Sequence, residues 1–394
     1  MTAFATRRFW IATHRYLGLS TLAFLFVAAV TGCVLCFDGP LDRLLNPDLF
    51  TRASVGAPVD PVAAVRRLEA ARPDLRVLAF PLRALPGSNL QVTVEPRLAG
   101  ARPGFDQVFL DGGDGRLVGV RDNRPGWDRR HLMRGLYLFH YTLLGATPGR
   151  WLMGLGALGW LIGAGVGLYL TVPTRGPLLR NWARAWTVNP RSRLGRLLLD
   201  LHQASALWLL IAVFVLAFTS VAMNFFDEVV TPAVAALSPP APSPFDHPAA
   251  AHGPRRLDFA AALAAGEAMA ATARPGWKPA ALQYYPDLNL YGVSFTRSGV
   301  VGYRGLGPVS YLVDAADGRA AYADDPYRDS PGRAFIRALY PLHSGKIAGP
   351  IGVGVILLAG LATVEMCVTG TWVWWLKRGP RIAARKAAAA GARP

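Results

Sequence analysis

The stretch from Arg134 to Gly176 recurs from Arg337 to Gly379 at a constant offset of 203 positions, and each copy carries a histidine just ahead of a membrane-length apolar run. His140 thus answers to His343, and the triplet Arg175, Gly176, Pro177 to Arg378, Gly379, Pro380. The register extends upstream, where the turn Asp111, Asp114, Gly115, Arg116 maps onto Asp314, Asp317, Gly318, Arg319. A second, weaker echo at offset 188 sets His14 and Thr31 against His202 and Thr219, and closes in matching steps, Phe37-Asp38 and Phe226-Asp227. Such a tandem duplication predicts two like halves. Four of the seven histidines then form two symmetry-related pairs.

The chain is 52% apolar over 394 residues, too long for one ordinary domain and too apolar for a water-soluble one. Four apolar runs, 17–37, 151–172, 204–226 and 351–376, are each long enough to cross a hydrocarbon layer of about 30 Å. Cations in the short segments set the orientation. Arg7, Arg8 and Arg15 stand without an acid before the first run, six arginines face only Asp200 in the connector after the second, and the tail is basic. These segments are expected in the cytoplasm. The formal charge of +17 is then mostly a topology signal, since short membrane-flanking stubs offer no folded basic surface for nucleic acid.

The expected plan is a cytoplasmic stub (1–16), a first span (17–37), an external unit (38–130), an interfacial segment (131–150), a second span (151–172) and a basic cytoplasmic loop (173–200). A third span (201–226), a second external unit (227–335), a second interfacial segment (336–350), a fourth span (351–376) and a basic cytoplasmic tail (377–394) complete it. A lipoprotein-like signal around Cys33 is set aside, because the matching segment after His202 is internal. Cys33, Cys36 and Cys367 all fall in apolar runs and read as packing, so no disulfide framework is expected.

Each external unit predicts one helix on a small antiparallel sheet. The helices are 61–72 and 258–273, the strands 76–80, 90–95 and 107–111, then 280–285, 290–295 and 310–314. The Pro-rich excursion 239–254, with His247 and His252, reads as a solvated loop.

A buried imidazole costs free energy unless it gains a partner. His14 and His202 are expected at the cytoplasmic mouth, His140 and His343 at the external one. If the halves are related by an axis along the membrane normal, each pair faces across it. A flat iron macrocycle with two axial positions suits such a pair, and two imidazoles favour electron transfer over oxygen binding. Zinc, or a purely structural role, is the alternative. The glycines at 154, 156, 159, 163, 165 and 167 offer room for a disc or simply for close helix packing. His131, whose repeat partner is Ala334, reads as an interfacial polar residue. Arg134, Arg150, Arg337 and Lys346 outside, with Arg15 and Arg196 inside, are candidates for haem carboxylates or lipid headgroups. Glu365, at mid-depth in the fourth run, is a candidate for relaying a proton or tuning a potential.

The segments HRYLGLSTLAFLFVAAVTG, LFHYTLLGATPGRWLMGLGAL, HQASALWLLIAVFVLAFTS and LYPLHSG carry a likeness that covers nearly the whole chain. It resembles the PepSY-associated transmembrane family, inner-membrane proteins of Gram-negative bacteria, and looks most like the haem-containing siderophore reductases among them. The resemblance implies an α+β membrane protein with four transmembrane helices and two periplasmic PepSY-like units. It implies two haem b groups with His14, His140, His202 and His343 as axial ligands. Electrons would pass from a cytoplasmic or quinol donor to a periplasmic ferric siderophore, releasing Fe(II). Tyr284, Tyr285, Arg297, Arg304 and Tyr311 are the expected substrate-facing residues. Glu365 falls on no shared motif. A siderophore permease, or a PepSY-type regulatory protein that binds a peptide, are the competing expectations.

Overall fold

The computed structural model describes residues 6–98, 100, 104–246, 253–380 and 382–383; His247 and His252 lie outside the described residues. In chain order the principal helices are α1 (Arg7–Leu35), α2 (Pro61–Ala71), α3 (Leu132–Thr142), α4 (Ala146–Thr171), α5 (Leu194–Trp208), α6 (Leu210–Asn224), α7 (Phe259–Ala273), α8 (Pro331–His343) and α9 (Gly349–Leu376). The strands are β1 (Leu75–Pro81), β2 (Leu90–Pro96), β3 (Gln107–Leu110), β4 (Leu117–Arg121), β5 (Lys278–Tyr285), β6 (Leu290–Thr296), β7 (Val309–Asp314) and β8 (Ala320–Asp324). They sort into a helical unit, 1–36 with 136–230 and 342–394, and a sheet unit, 37–135 with 231–341.

In the helical unit α1, α4 and α9 are each long and apolar enough to span a bilayer. Their apolar side chains point mostly outward, with Phe26, Leu155, Ile162, Ile351 and Leu358 exposed, as lipid contact requires. Inward-facing glycines let helices meet: Gly156 lies against Phe24, Gly159 against Thr21 and Gly154 against Phe225. These three are therefore packing glycines. Helix α1 packs on both α4 and α9, α5 packs on α9, and α6 packs on α4 and α9. Threonine hydroxyls in the spans bond back to the preceding turn, Thr21 to the Leu17 carbonyl at 2.9 Å and Thr363 to that of Ala359 at 2.7 Å, so no buried O–H is orphaned there.

The third apolar run departs from the expected straight span. It is broken at Leu209, where α5 and α6 meet at 75°. No glycine or proline marks the break in sequence. Instead the Trp208 indole donates to the Trp186 carbonyl at 3.0 Å, pinning the end of α5 to the basic connector. Other aromatics and cations gather at the same helix ends: Arg7 donates to the Leu170 carbonyl at 2.6 Å, Trp10 packs on Tyr169, and Trp182 donates to Thr171 at 3.0 Å. Such belts mark a bilayer interface.

Between α3 and α4 the chain turns through Leu143, Leu144 and Ala146, all in the left-handed region with φ of 52°, 60° and 48°. A helix running unbroken from His140 would overshoot the bilayer, so the chain must turn here. The turn closes because Gly149 brings its Cα against the Thr142 carbonyl, and in the second copy Gly352 lies as close to the Gly345 carbonyl. Those glycines are 203 positions apart, in register with the repeat.

The sheet unit differs from the two small sheets expected from sequence. Its strands form one antiparallel sheet in the order β4-β3-β2-β1-β5-β6-β7-β8. Each half is a meander, and β1 pairs with β5 through Ala79 with Gln283, Phe80 with Leu282 and Pro81 with Ala281. Left separate, β1 and β5 would each present an unpaired row of N–H and C=O groups; joined, they satisfy one another. Strands β4 and β8 lie outside the predicted set because their solvent-facing residues weaken the alternation. Asp60 caps α2 through the Val62 amide at 3.1 Å, and Asp258 caps α7 through that of Ala261 at 2.9 Å. Both helices contribute to one core, with Val65 and Leu68 beside Phe259 and Ala262 over Val77, Val92, Leu282 and Val293. Arg255 binds across the halves, donating to the Tyr291 hydroxyl at 2.6 Å and to Glu69 of α2 at 3.3 Å. The two Asp-Gly turns share a hydrogen-bond pattern: Gly115 N to Asp111 O and Gly318 N to Asp314 O are both 2.9 Å.

Substituting Gly149→Ala or Gly352→Ala drives a methyl into a backbone carbonyl, at a cost of about 1–3 kcal/mol. Thermal unfolding in detergent should show either change lowering the melting temperature. Gly165→Ala, which meets nothing within 4 Å, should leave it unchanged or raise it.

Candidate functional site

Four histidines converge inside the helical unit as two pairs. His14 of α1 and His202 of α5 have ring centroids 6.2 Å apart with planes at 75°. His140, near the end of α3, and His343, the last residue of α8, have centroids 6.1 Å apart at 60°. Each pair takes one ring from each half of the sequence repeat. His14 and Thr31 lie 17 positions apart on α1, and Thr31 touches His140, so the two levels are separated by about 25 Å along that helix.

Every ring is held through Nδ1. His14 bonds the Gly163 carbonyl of α4 at 2.9 Å, and His202 bonds the Met366 carbonyl of α9 at 3.2 Å, with Thr369 Oγ1 also at 3.2 Å. Gly163 and Met366 are again 203 positions apart. At the other level His140 bonds Thr31 Oγ1 at 3.0 Å and His343 bonds Thr219 Oγ1 at 3.1 Å. Those hydroxyls donate their own protons to the Val27 and Val215 carbonyls at 2.6 and 2.7 Å, so towards the imidazoles they accept. A carbonyl can only accept. All four rings therefore carry the proton on Nδ1 and present Nε2 as a lone pair. Thr31 and Thr219, which the sequence groups with His14 and His202 on shared helices, serve the opposite pair.

Glycines make room beside the rings. A methyl on Gly167 would stand 2.9 Å from His14 Cε1, one on Gly370 3.1 Å from His202 Cε1, and one on Gly32 3.1 Å from His140 Cε1. Gly167 and Gly370 are repeat mates. Of the six glycines singled out in α4, then, Gly167 and the Gly163 carbonyl belong to the histidine site.

Two in-line metal–imidazole bonds of about 2.0 Å, each continued by roughly 1.1 Å from ring nitrogen to ring centre, put two centroids about 6.2 Å apart. Both pairs have that separation. Among the described residues no group of three or more His, Cys, Asp or Glu is gathered for a metal. A tetrahedral zinc site would need such a group, whereas a macrocycle brings its own equatorial donors. The donor set fits haem.

Glu365 lies on α9 one turn before Thr369, with Ser205 of α5 as its other polar neighbour. Both carboxyl oxygens are buried, with the Ser205 and Thr369 hydroxyls as their polar neighbours. A polar group so placed at membrane depth is a functional candidate.

Other sequence candidates are placed differently. Arg150 is tied to Glu228 at 2.5 Å, and Arg337 to Asp324 at 3.2 Å and to the Pro308 carbonyl at 2.9 Å. Arg196 pairs with Asp200 at 2.8 Å, and the Arg15 guanidinium stacks on Tyr16. Arg134 is half-buried and Lys346 exposed. Tyr284 and Tyr311, at 7% and 3% exposure, are core residues of the sheet unit and line no open surface. Tyr285 is half-buried against Phe245, while Arg297 and Arg304 are exposed. His131 is clasped by Asp128 at 2.7 Å through Nδ1 and by Asp122 at 2.5 Å through Nε2, leaving no nitrogen for a metal. The three cysteines are free thiols.

A family model described as PepSY-associated TM region matches residues 11–377. Among curated proteins none matches the chain.

The His131 clasp closes the corner that leads into α3. Burial opposes its charge, but the two carboxylates outweigh burial and raise its pKa above the ordinary value; Arg124, paired with Asp122 at 2.9 Å, is the other charge at the corner. A raised folded value means that the stabilisation is complete below the unfolded pKa of about 6.5 and is lost as pH rises through the folded one. Hydrogen exchange at Leu132 and Gly135, corrected for intrinsic rates, should show protection falling over that range. His131→Gln should remove the dependence.

Proposed function

Because the chain belongs to the PepSY-associated TM region family, we propose that it is a di-haem membrane reductase, taking electrons from a cytoplasmic or quinol donor and delivering them to a periplasmic ferric siderophore. The observation that carries this reading is the spacing of the imidazoles, 6.2 and 6.1 Å between ring centres, with an Nε2 lone pair on every ring. Haem b held by two such rings would supply one-electron transfer.

The residues then have distinct tasks. His14 and His202 clasp one group, His140 and His343 the other, and the carbonyls of Gly163 and Met366 with the hydroxyls of Thr31 and Thr219 hold the rings in line. Second partners of this kind fix the tautomer of a ligating imidazole and raise its basicity. Gly167, Gly370 and Gly32 keep the ring edges clear. Arg134 and Lys346, with Arg150 and Arg337, are the cations offered to haem carboxylates outside. The tandem duplication accounts for the matched ligands at both levels. The basic stub, loop and tail orient both termini to the cytoplasm of a bacterial inner membrane and the sheet unit to the periplasm. Arg297 and Arg304, both exposed, and half-buried Tyr285 are the residues assigned to the substrate. Iron(III) gains one electron and leaves as Fe(II), which hard oxygen chelators bind less tightly.

Glu365 adds a buried carboxyl beside Ser205 and Thr369, near the His202 side of the bundle. Its role here is to tune the potential of that site, not to hold the cofactor.

Absorption spectra and haem content of the purified protein are the direct test. Two low-spin haem b per chain are expected, a colourless preparation being the result that ends this reading. His202→Ala should remove one haem and His343→Ala the other, each leaving about half the content; unchanged content in either would break the pairing. Glu365→Gln should shift a midpoint potential while both haems stay bound.

A further inference from the structure

We propose that Thr31 and Thr219 are positioning residues that set the reduction potential of the His140–His343 site, an inference that rests on the haem reading above. Each hydroxyl is locked by its own helix, donating to the carbonyl four residues back at 2.6 Å for Thr31 and 2.7 Å for Thr219. What it offers the neighbouring imidazole is therefore an acceptor, at 3.0 Å for His140 and 3.1 Å for His343. Accepting the Nδ1 proton makes a ring a stronger donor through Nε2, which favours the oxidised metal and lowers its potential.

The two levels differ in how removable this support is. His14 and His202 lean on backbone carbonyls, which no side-chain substitution deletes, although Thr369 adds a hydroxyl at 3.2 Å to His202. His140 and His343 lean on threonine side chains. A valine in place of either threonine keeps the shape and removes that acceptor. The two threonines are also unequal. The Ala28 carbonyl lies beside His140 and can accept its N–H in place of the lost hydroxyl, so loss of Thr31 is partly compensated, whereas loss of Thr219 leaves the His343 N–H short of the acceptor it uses. Thr219 is the more consequential of the two.

Potentiometric titration of the purified full-length protein, followed through its visible spectrum, tests this. Thr219→Val should raise the midpoint of the component that His343→Ala deletes and leave the one that His202→Ala deletes in place. Thr31→Val should raise the same component by less, and Thr219→Ser should return it to the wild-type value. With both haems bound, an unmoved or lowered midpoint, equal movement of both components, or failure of serine to restore it would overturn the proposal. If Thr219→Val sheds its haem, Thr31→Val carries the same test, because its ring keeps the Ala28 carbonyl. A wild-type protein without haem removes the reading of function itself, and shows this before any threonine is changed.

Discussion

The helical unit depends on a simple requirement: an imidazole half-buried among apolar helices must have its N–H satisfied. In this protein the requirement is met four times by a neighbouring helix, through the Gly163 and Met366 carbonyls and the Thr31 and Thr219 hydroxyls. Each of these bonds does two things. It ties one helix of a repeat to the other helix of the same repeat, α1 to α4 and α5 to α9 at one level. It also sets the tautomer, leaving Nε2 of each ring as the unprotonated nitrogen. Gly167, Gly370 and Gly32 leave room for three of the rings so held.

Duplication explains why the arrangement comes in pairs, and it shapes the sheet unit by a different mechanism. There the two copies do not face one another across a gap but pair through backbone, β1 with β5, so that two four-stranded meanders become one sheet with a shared core. Arg255 reinforces the joint from the side-chain layer by bridging Tyr291 and Glu69. In the helical unit each half supplies one imidazole of a pair, and in the sheet unit each supplies a strand edge.

Much of this was readable in the residues. The long apolar helices followed from apolar length, and the helices of the sheet unit and its Asp-Gly turns from their local composition. The break near Leu143 was foreseeable from the excess length between His140 and the end of α4. What was not readable depends on contacts distant in sequence. Tyr284 and Tyr311 look like surface aromatics on strands, yet the helices above make them core. Arg150 and Arg337 look free until Glu228 and Asp324 are brought to them. The bend at Leu209 carries no glycine or proline, and its cause is an indole held by a carbonyl in another segment.

The sequence by itself determined the 203-position register, the long apolar helices and which four histidines stand at matching positions, because periodicity, apolar length and residue chemistry are local properties written in order along the chain. Only the tertiary structure decided which threonine serves which ring, which nitrogen carries the proton, and that two sheets become one. Those outcomes depend on donors finding acceptors, and on strand edges finding one another, across more than a hundred residues of intervening chain. Such a meeting is set by three-dimensional geometry, and no local pattern encodes it.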